Sequence, residues 1–285
     1  ASQGIAMIVK GTHNMLFASV LEKMQTECTA AGYNGMVYYI DENDNEVDRA
    51  RQICREHKPH GVIFLGSDRN HFGPDLEELG VPCLLMTNTA ATAAIANLSS
   101  VSVDDVAAAA RMVDHLWTNG HRHIGFIGGD LTSSQPSSAR LSGCLSEFSR
   151  RGLFFDPARQ YTAARYTLTG GYQAMEHLLK TLPDLTAVFA FSDIMAISAM
   201  RALRDHGLRV PEDVSVCGFD GIELAGYLSP RLTTIRQPAE RMAGRGVAIL
   251  IRCIEEQTDA VHELVPYELV EGESVLHLPG ADETH

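Results

Sequence analysis

Residues 187–220 read AVFAFSDIMAISAMRALRDHGLRVPEDVSVCGFD. Ala187–Ala190 is a short apolar run, Met195–His206 carries a helical period, and Val214–Cys217 is a second apolar run with β-branched residues. Such a unit joins two parallel strands through a crossover helix, because a tight hairpin cannot make that connection. The same alternation extends upstream: strand Ile124–Ile127, helix Ala139–Arg151, strand Tyr161–Ala164 and helix Gly170–Thr181. A first series opens the chain with strand Gly4–Val9, helix Asn14–Ala31 closed by a left-handed cap at Gly32, strand Met36–Ile40, helix Glu46–His57, and strands Gly61–Leu65 and Cys83–Met86. A small-residue linker at Ala90–Leu98 and a strand at Val101–Val103 lead into a helix from Asp104 to Asn119, stopped at Gly120.

Two series of strand–helix units predict an α/β protein of two doubly wound parallel-sheet lobes. The end breaks the order, with a strand at Leu232–Ile235, a long helix at Pro238–Gln257 and two β segments at Leu264–Val270 and Ser274–Leu278. The chain is therefore expected to pass between lobes more than once and to form a hinge there. The expected division is residues 1–118 with 236–259 in an N-terminal lobe, 119–235 with 260–278 in a C-terminal lobe, and 279–285 as a tail.

The 285 residues exceed the usual size of one hydrophobic core, which agrees with two lobes. A net charge of −13 argues against a large nucleic-acid footprint on this chain, since phosphate contacts need clustered Lys and Arg. No run approaches a membrane span, and no signal-peptide pattern opens the chain. It begins at Ala1 without an initiator Met, and is read as a processed or trimmed product. The six cysteines lie far apart with no Cys-x-x-Cys pair, which suits reduced, buried thiols and a cytoplasmic setting.

In open parallel sheets, ligands bind beyond the carboxyl ends of the strands. The loops there are polar: Lys10-Gly11-Thr12-His13-Asn14 followed by Leu16-Phe17, then Gly66-Ser67-Asp68-Arg69, Gly128-Gly129-Asp130 with Arg140 further on, Phe191-Ser192-Asp193, and Gly218-Phe219-Asp220-Gly221. Carboxylates to accept from hydroxyls, an Arg fork and aromatic faces suit a small, polar, carbohydrate-like ligand in a cleft between lobes. Asp104 and Asp193 precede helices and read equally as caps. Arg140 is placed in a helical first turn, where the macrodipole disfavours a cation, so it is assigned to a ligand or to a carboxylate. Phe17, Phe189 and Phe191 are open to a core reading. His121 and His123 read as structural or solvated. No catalytic, metal or cofactor constellation emerges: Gly125-Phe126-Ile127-Gly128-Gly129 lacks the dinucleotide spacing, and neither a phosphate loop nor a nucleophile elbow occurs.

Three runs are more specific: Gly120-His121-Arg122-His123-Ile124-Gly125-Phe126-Ile127-Gly128-Gly129, Gly207-Leu208-Arg209-Val210-Pro211-Glu212-Asp213-Val214-Ser215-Val216-Cys217-Gly218-Phe219-Asp220, and Leu228-Ser229-Pro230-Arg231-Leu232-Thr233-Thr234-Ile235-Arg236-Gln237-Pro238. Together they closely resemble the lactose/galactose repressor family over nearly the whole chain. The resemblance implies a periplasmic-binding-protein-like fold with three crossovers, acting as the effector-binding and dimerising core of a DNA-binding repressor. It implies a homodimer, a sugar-like effector favouring one closure of the lobes, and operator contact through an N-terminal helix-turn-helix headpiece outside this chain. It also implies that Arg140, in Arg-x-x-Gly with Gly143, and Asp220 contact the effector, with Gln237 at a crossover, Leu16 and Phe17 at an aromatic pair, and Phe189 stacking on the ligand. Ser192, Asp68 and His13 complete the expected ligand-binding set. Departures are Ser192 where many members carry Asn, Leu16 for a common aromatic, and Glu271-Gly272-Glu273-Ser274 where Arg-Gly-Ser is usual. The alternative reading is a periplasmic sugar-binding transport receptor of the same fold.

Overall fold

Strands that are apolar at successive positions need cover on both faces, and the central strands of this chain are buried from end to end. The computed structural model describes residues 3–11, 13–89 and 95–279, without the side chain of Arg69. In chain order it begins with β1 (Gly4–Lys10), α1 (Met15–Ala30), β2 (Asn34–Ile40), α2 (Glu46–His57), β3 (Gly61–Leu65), β4 (Cys83–Met86) and β5 (Leu98–Ser102). Next come α3 (Asp105–Thr118), β6 (Ile124–Gly128), α4 (Gln135–Arg150), α5 (Pro157–Gln160), β7 (Tyr161–Ala163), α6 (Leu168–Thr181), β8 (Ala187–Ala190), α7 (Asp193–Asp205), β9 (Ser215–Asp220) and β10 (Thr233–Arg236). The chain ends with α8 (Ala239–Glu256), β11 (His262–Leu264) and β12 (Glu268–Val270).

These elements form two units, Ala1–Val103 with Pro238–Pro266, and Asp104–Gln237 with Tyr267–His285, so the chain passes between them three times. The first unit holds a parallel sheet ordered β11-β5-β4-β3-β1-β2. The second is ordered β12-β10-β9-β8-β6-β7 and is parallel except for β12, which runs against β10. In each sheet the winding direction reverses once, between β1 and β3 in the first and between β6 and β8 in the second. The loops after those strands therefore diverge, leaving an opening at the carboxyl edge.

Most helices start on a side-chain cap that satisfies an otherwise unpaired N–H. Asn14 accepts from the Leu16 N–H, Asn45 from Val47 and Asp48, Asp104 from Ala107, and Thr167 from Gly170. The boundaries of α2, β3, β4 and β8 fall where periodicity puts them, and Gly32 has the expected positive φ of 85°.

Four expectations differ from the structure. The helix starting at Asp105 packs on α4 within the second unit, whereas the sequence division put residues 104–118 in the first lobe. The segment expected as one strand at Leu264–Val270 is two, β11 pairing β5 and β12 pairing β10, with the last passage between units separating them. No strand forms at Ser274–Leu278. That stretch is pinned by single bonds instead: Ser274 Oγ donates to Val216 O at 2.5 Å and accepts from Thr233 N at 2.8 Å, and Leu276 N donates to Ser215 Oγ at 2.8 Å. Finally, α4 starts at Gln135, capped by Ser134 with Pro136 in its first turn, rather than at Ala139. Its polar first turn, Gln135-Pro136-Ser137-Ser138, reads as loop by composition. The linker expected at Ala90–Leu98 lies partly outside the described residues, as does most of the 279–285 tail.

Candidate ligand-binding site

In the second unit the reversal between β6 and β8 places Gly128-Gly129 beside Phe191-Ser192, and α4 carries Arg140 across this edge. With α4 starting at Gln135, Arg140 lies in the second turn, so the macrodipole argument for its role does not apply. Tertiary contacts hold it: Nε donates to Asp105 Oδ1 at 2.8 Å, Nη1 donates to Phe191 O at 2.5 Å, and the guanidinium sits 3.6 Å from the Phe219 ring centroid. Arg140 and Asp105 are both almost wholly buried. Burial works against the charge on Arg140, but Asp105, Tyr166 and Asp220 outweigh it and raise its pKa. Burial pushes the Asp105 carboxyl up while Arg140 draws it down.

Asp220 ends β9 with φ of 121°, a backbone conformation that costs energy in any residue with a Cβ, followed by Gly221 at 70°. Its Oδ1 accepts from Gln237 Nε2 at 2.8 Å, and its carbonyl from the Gln237 N–H at 2.8 Å. Two buried acceptors have no partner among the described residues, Asp105 Oδ2 beside Arg140 and Gln237 Oε1 beside Asp220. Unpaired buried acceptors cost free energy until a donor arrives. On the other side, Ser137 Oγ accepts from the Gly129 N–H at 2.8 Å and bonds the Tyr166 hydroxyl. Gly129 has no room for a Cβ, which would lie 2.7 Å from the Tyr166 ring.

The remaining candidates in this unit divide clearly. Phe189, expected to stack on a ligand, is fully buried in β8 with its ring 5.2 Å from Phe191 and 6.3 Å from Phe126, so the core reading holds for it and for Phe191. Ser192 is the N-cap of α7, its Oγ accepting from Met195 N at 3.3 Å. Asp193 is consequently not the cap. Its carboxylate accepts from the Ile222 N–H at 2.9 Å and from Thr234 Oγ1 at 2.6 Å, tying down the turn after β9; burial, then Asp220, pushes its pKa up.

In the first unit the corresponding edge gathers a charged cluster. Glu46, at the start of α2 and fully buried, accepts from Lys10 Nζ at 2.9 Å, from the Asp68 N–H at 2.7 Å, and pairs with His71 Nδ1 at 2.6 Å. Asp68 is half-buried and accepts from Asn70 N at 2.9 Å. Phe17 is also half-buried, its ring against Gly11 and Gly66; a Cβ on Gly66 would meet both that ring and Lys10 O. Leu16 is buried on the apolar side of α1, and His13 is exposed.

The structure thus joins Arg140, Asp220 and Gln237 in one constellation, and Asp68 with Phe17 at the edge of the other sheet. Sequence reading missed Asp105, Tyr166, Ser137, Glu46 and His71. Only Asp105 left a signal: in Asp104-Asp105 one carboxylate suffices as the cap, and the second stands on a buried helical face.

Residues 113–275 match a family model described as the periplasmic binding protein-like domain. The HTH-type transcriptional regulator MalR of Clostridium butyricum is 30% identical over 280 residues, which cover 97% of this chain and 83% of that protein. The HTH-type transcriptional repressor CytR of Escherichia coli K12 is 30% identical over 259 residues, 90% of this chain and 74% of that one. Among solved structures, a CelR–cellobiose complex superposes with a TM-score of 0.87 at 26% identity, covering 96% of this chain and 84% of that one. A LacI family transcriptional regulator from Mycobacterium smegmatis gives 0.83 at 25% identity, covering 96% and 99%. With its two switch-point sheets, its buried Arg140–Asp105 pair and these relatives, the chain belongs to the LacI family of transcriptional regulators and carries their periplasmic-binding-protein-like core.

Proposed function

We propose that this chain is the effector-sensing core of a transcriptional repressor, that it takes up a small sugar-like molecule at the strand carboxyl edges, and that it works as a homodimer in the cytoplasm. DNA contact is assigned to a helix-turn-helix headpiece outside the 285 residues, in line with the charge of −13. The named relatives are regulators rather than enzymes or transport receptors.

The observation that carries the reading is the group around Arg140. A charged fork fixed by Asp105 and Phe191 O, the Asp220–Gln237 pair, and two buried acceptors that lack donors among the described residues make up a group whose hydrogen bonding a hydroxyl-rich ligand would complete. In the first unit, Asp68, Phe17 and the Lys10–Glu46–His71 cluster gather polar groups and a ring at the carboxyl edge of that unit's own sheet. The cellobiose bound to CelR is a ligand of that chemistry. Regulation then requires the ligand to bind one state of the core more tightly than the other, because equal affinity shifts no population.

Thermal unfolding with a panel of mono- and disaccharides and nucleosides tests this. One of them at about a hundred times its Kd adds roughly 2.7 kcal/mol of stability. Arg140→Lys and Asp220→Asn should still fold and lose that gain. A gain unchanged in both variants would place the ligand elsewhere.

A further inference from the structure

The first unit contains a concavity at the opposite, amino-terminal edge of its sheet, away from the Lys10 and Asp68 loops. It measures about 530 Å³ and lies where β3, β4 and β5 begin, against the C-terminal end of α8. That is within the range of small-molecule pockets, about 300–1,000 Å³. Val81, Pro82 and Ile254 supply apolar wall, while Glu77, Asn97, the Cys253 thiol, His60, Ser99, Gln257 and Thr258 supply polar atoms.

Among the described residues the lining carries one carboxylate, Glu77, and one buried acceptor left unpaired, on Asn97. Asn97 Nδ2 donates to Leu76 O at 3.2 Å and to Val81 O at 2.9 Å, which fixes the amide orientation and leaves Oδ1 as the other atom. That Oδ1 is buried and has no partner among the described residues. Glu77 accepts from the Ala96 N–H through Oε1 at 3.0 Å. Cys253 Sγ accepts from Thr258 Oγ1 at 3.6 Å and already directs its own hydrogen to Asp259 O at 3.7 Å. The helix α8 ends here with Gln257 in the left-handed region, φ 53°, so its last carbonyls add negative potential. No Lys or Arg lines the concavity among the described residues.

From this we infer that the pocket is a second small-molecule site on the core, separate from the strand-carboxyl-edge site, and that it takes a small amine with an apolar body. The ammonium is held by Glu77, Asn97 Oδ1 and the α8 terminus, and the apolar body lies on Val81, Pro82 and Ile254. A carboxylate of the same shape meets the Glu77 charge and leaves Asn97 Oδ1 without a donor, so it binds more weakly.

Three isosteric probes separate charge from shape: benzylamine, benzyl alcohol and benzoate, titrated into the intact chain while the methyl NMR signals of Ile254 and Val81 are followed. Benzylamine is expected to shift both signals saturably, with a Kd of about 1 mM or tighter, and benzyl alcohol and benzoate to bind more weakly. Glu77→Gln keeps the acceptor for Ala96 and removes the charge, so it should weaken benzylamine about tenfold and leave benzyl alcohol unchanged. Ile254→Trp fills the cavity and should abolish both. Absence of saturable shifts at these methyls, binding of benzoate as tight as benzylamine, or indifference of benzylamine to Glu77→Gln would each overturn the assignment.

Discussion

His121 is a residue whose role is decided by what surrounds it. It is almost fully buried, with Nε2 donating to Leu276 O at 2.9 Å and Nδ1 accepting from Thr186 Oγ1 at 2.9 Å, the pattern of a neutral imidazole. Burial, more than any other influence, lowers its pKa. Above the unfolded value of about 6.5 both states are neutral and its contribution is complete. As pH falls below that, the unfolded chain takes up a proton that the folded one resists, and stability drops by at most about 1.4 kcal/mol per pH unit until the folded value is reached. Urea midpoints at pH 7.5 and 5.5 should therefore fall further in the native chain than in His121→Gln, whose side chain does not titrate. Equal losses would mean that His121 is protonated alike in both states. Its neighbour His123 is exposed and its ring pairs with Asp184 at the surface, 3.0 Å away, although the sequence reads alike for both. The difference comes from Leu276, distant in sequence, and no local pattern records it.

Among the elements, α3 and α4 are the pair on which the Arg140 constellation rests. Gly143 sits in the Arg-x-x-Gly spacing, and a Cβ there would lie 2.1 Å from Val106 O on α3. The glycine is required for helix approach, which in turn brings Arg140 to Asp105. Gly143→Ala should cost about 1–3 kcal/mol by overpacking and weaken effector binding as well. Denaturation and ligand titration of the one variant check both; a loss of stability with intact affinity would uncouple the helix contact from the site. The motif was legible as a motif. Its reason was not, because the obstructing atom is a backbone carbonyl some forty residues away in the chain. The same limit produced the misplaced start of α4, whose capping Ser134 and Pro136 look like loop residues until a helix follows them.

At the scale of the whole molecule, the acidic surface sets what this chain can do alone. With 36 acidic against 23 basic residues, the isolated chain should leave duplex DNA unshifted in a gel assay at about 100 mM salt, with or without effector. Retardation would show a DNA surface within these residues and remove the need for a separate headpiece. The fold class, most of the strands and helices, and the membership of a regulator family were all carried by the sequence. Burial period, turn glycines and helix caps are local, and each acts within a few residues. What only the tertiary structure decided is which polar groups meet: Arg140 with Asp105, Glu46 with Lys10 and His71, Asp220 with Gln237. It also decided that α3 belongs with the second unit and that Phe189 faces the core. These are contacts between segments far apart in the chain, formed because buried charges and acceptors must find partners once the sheets close around them.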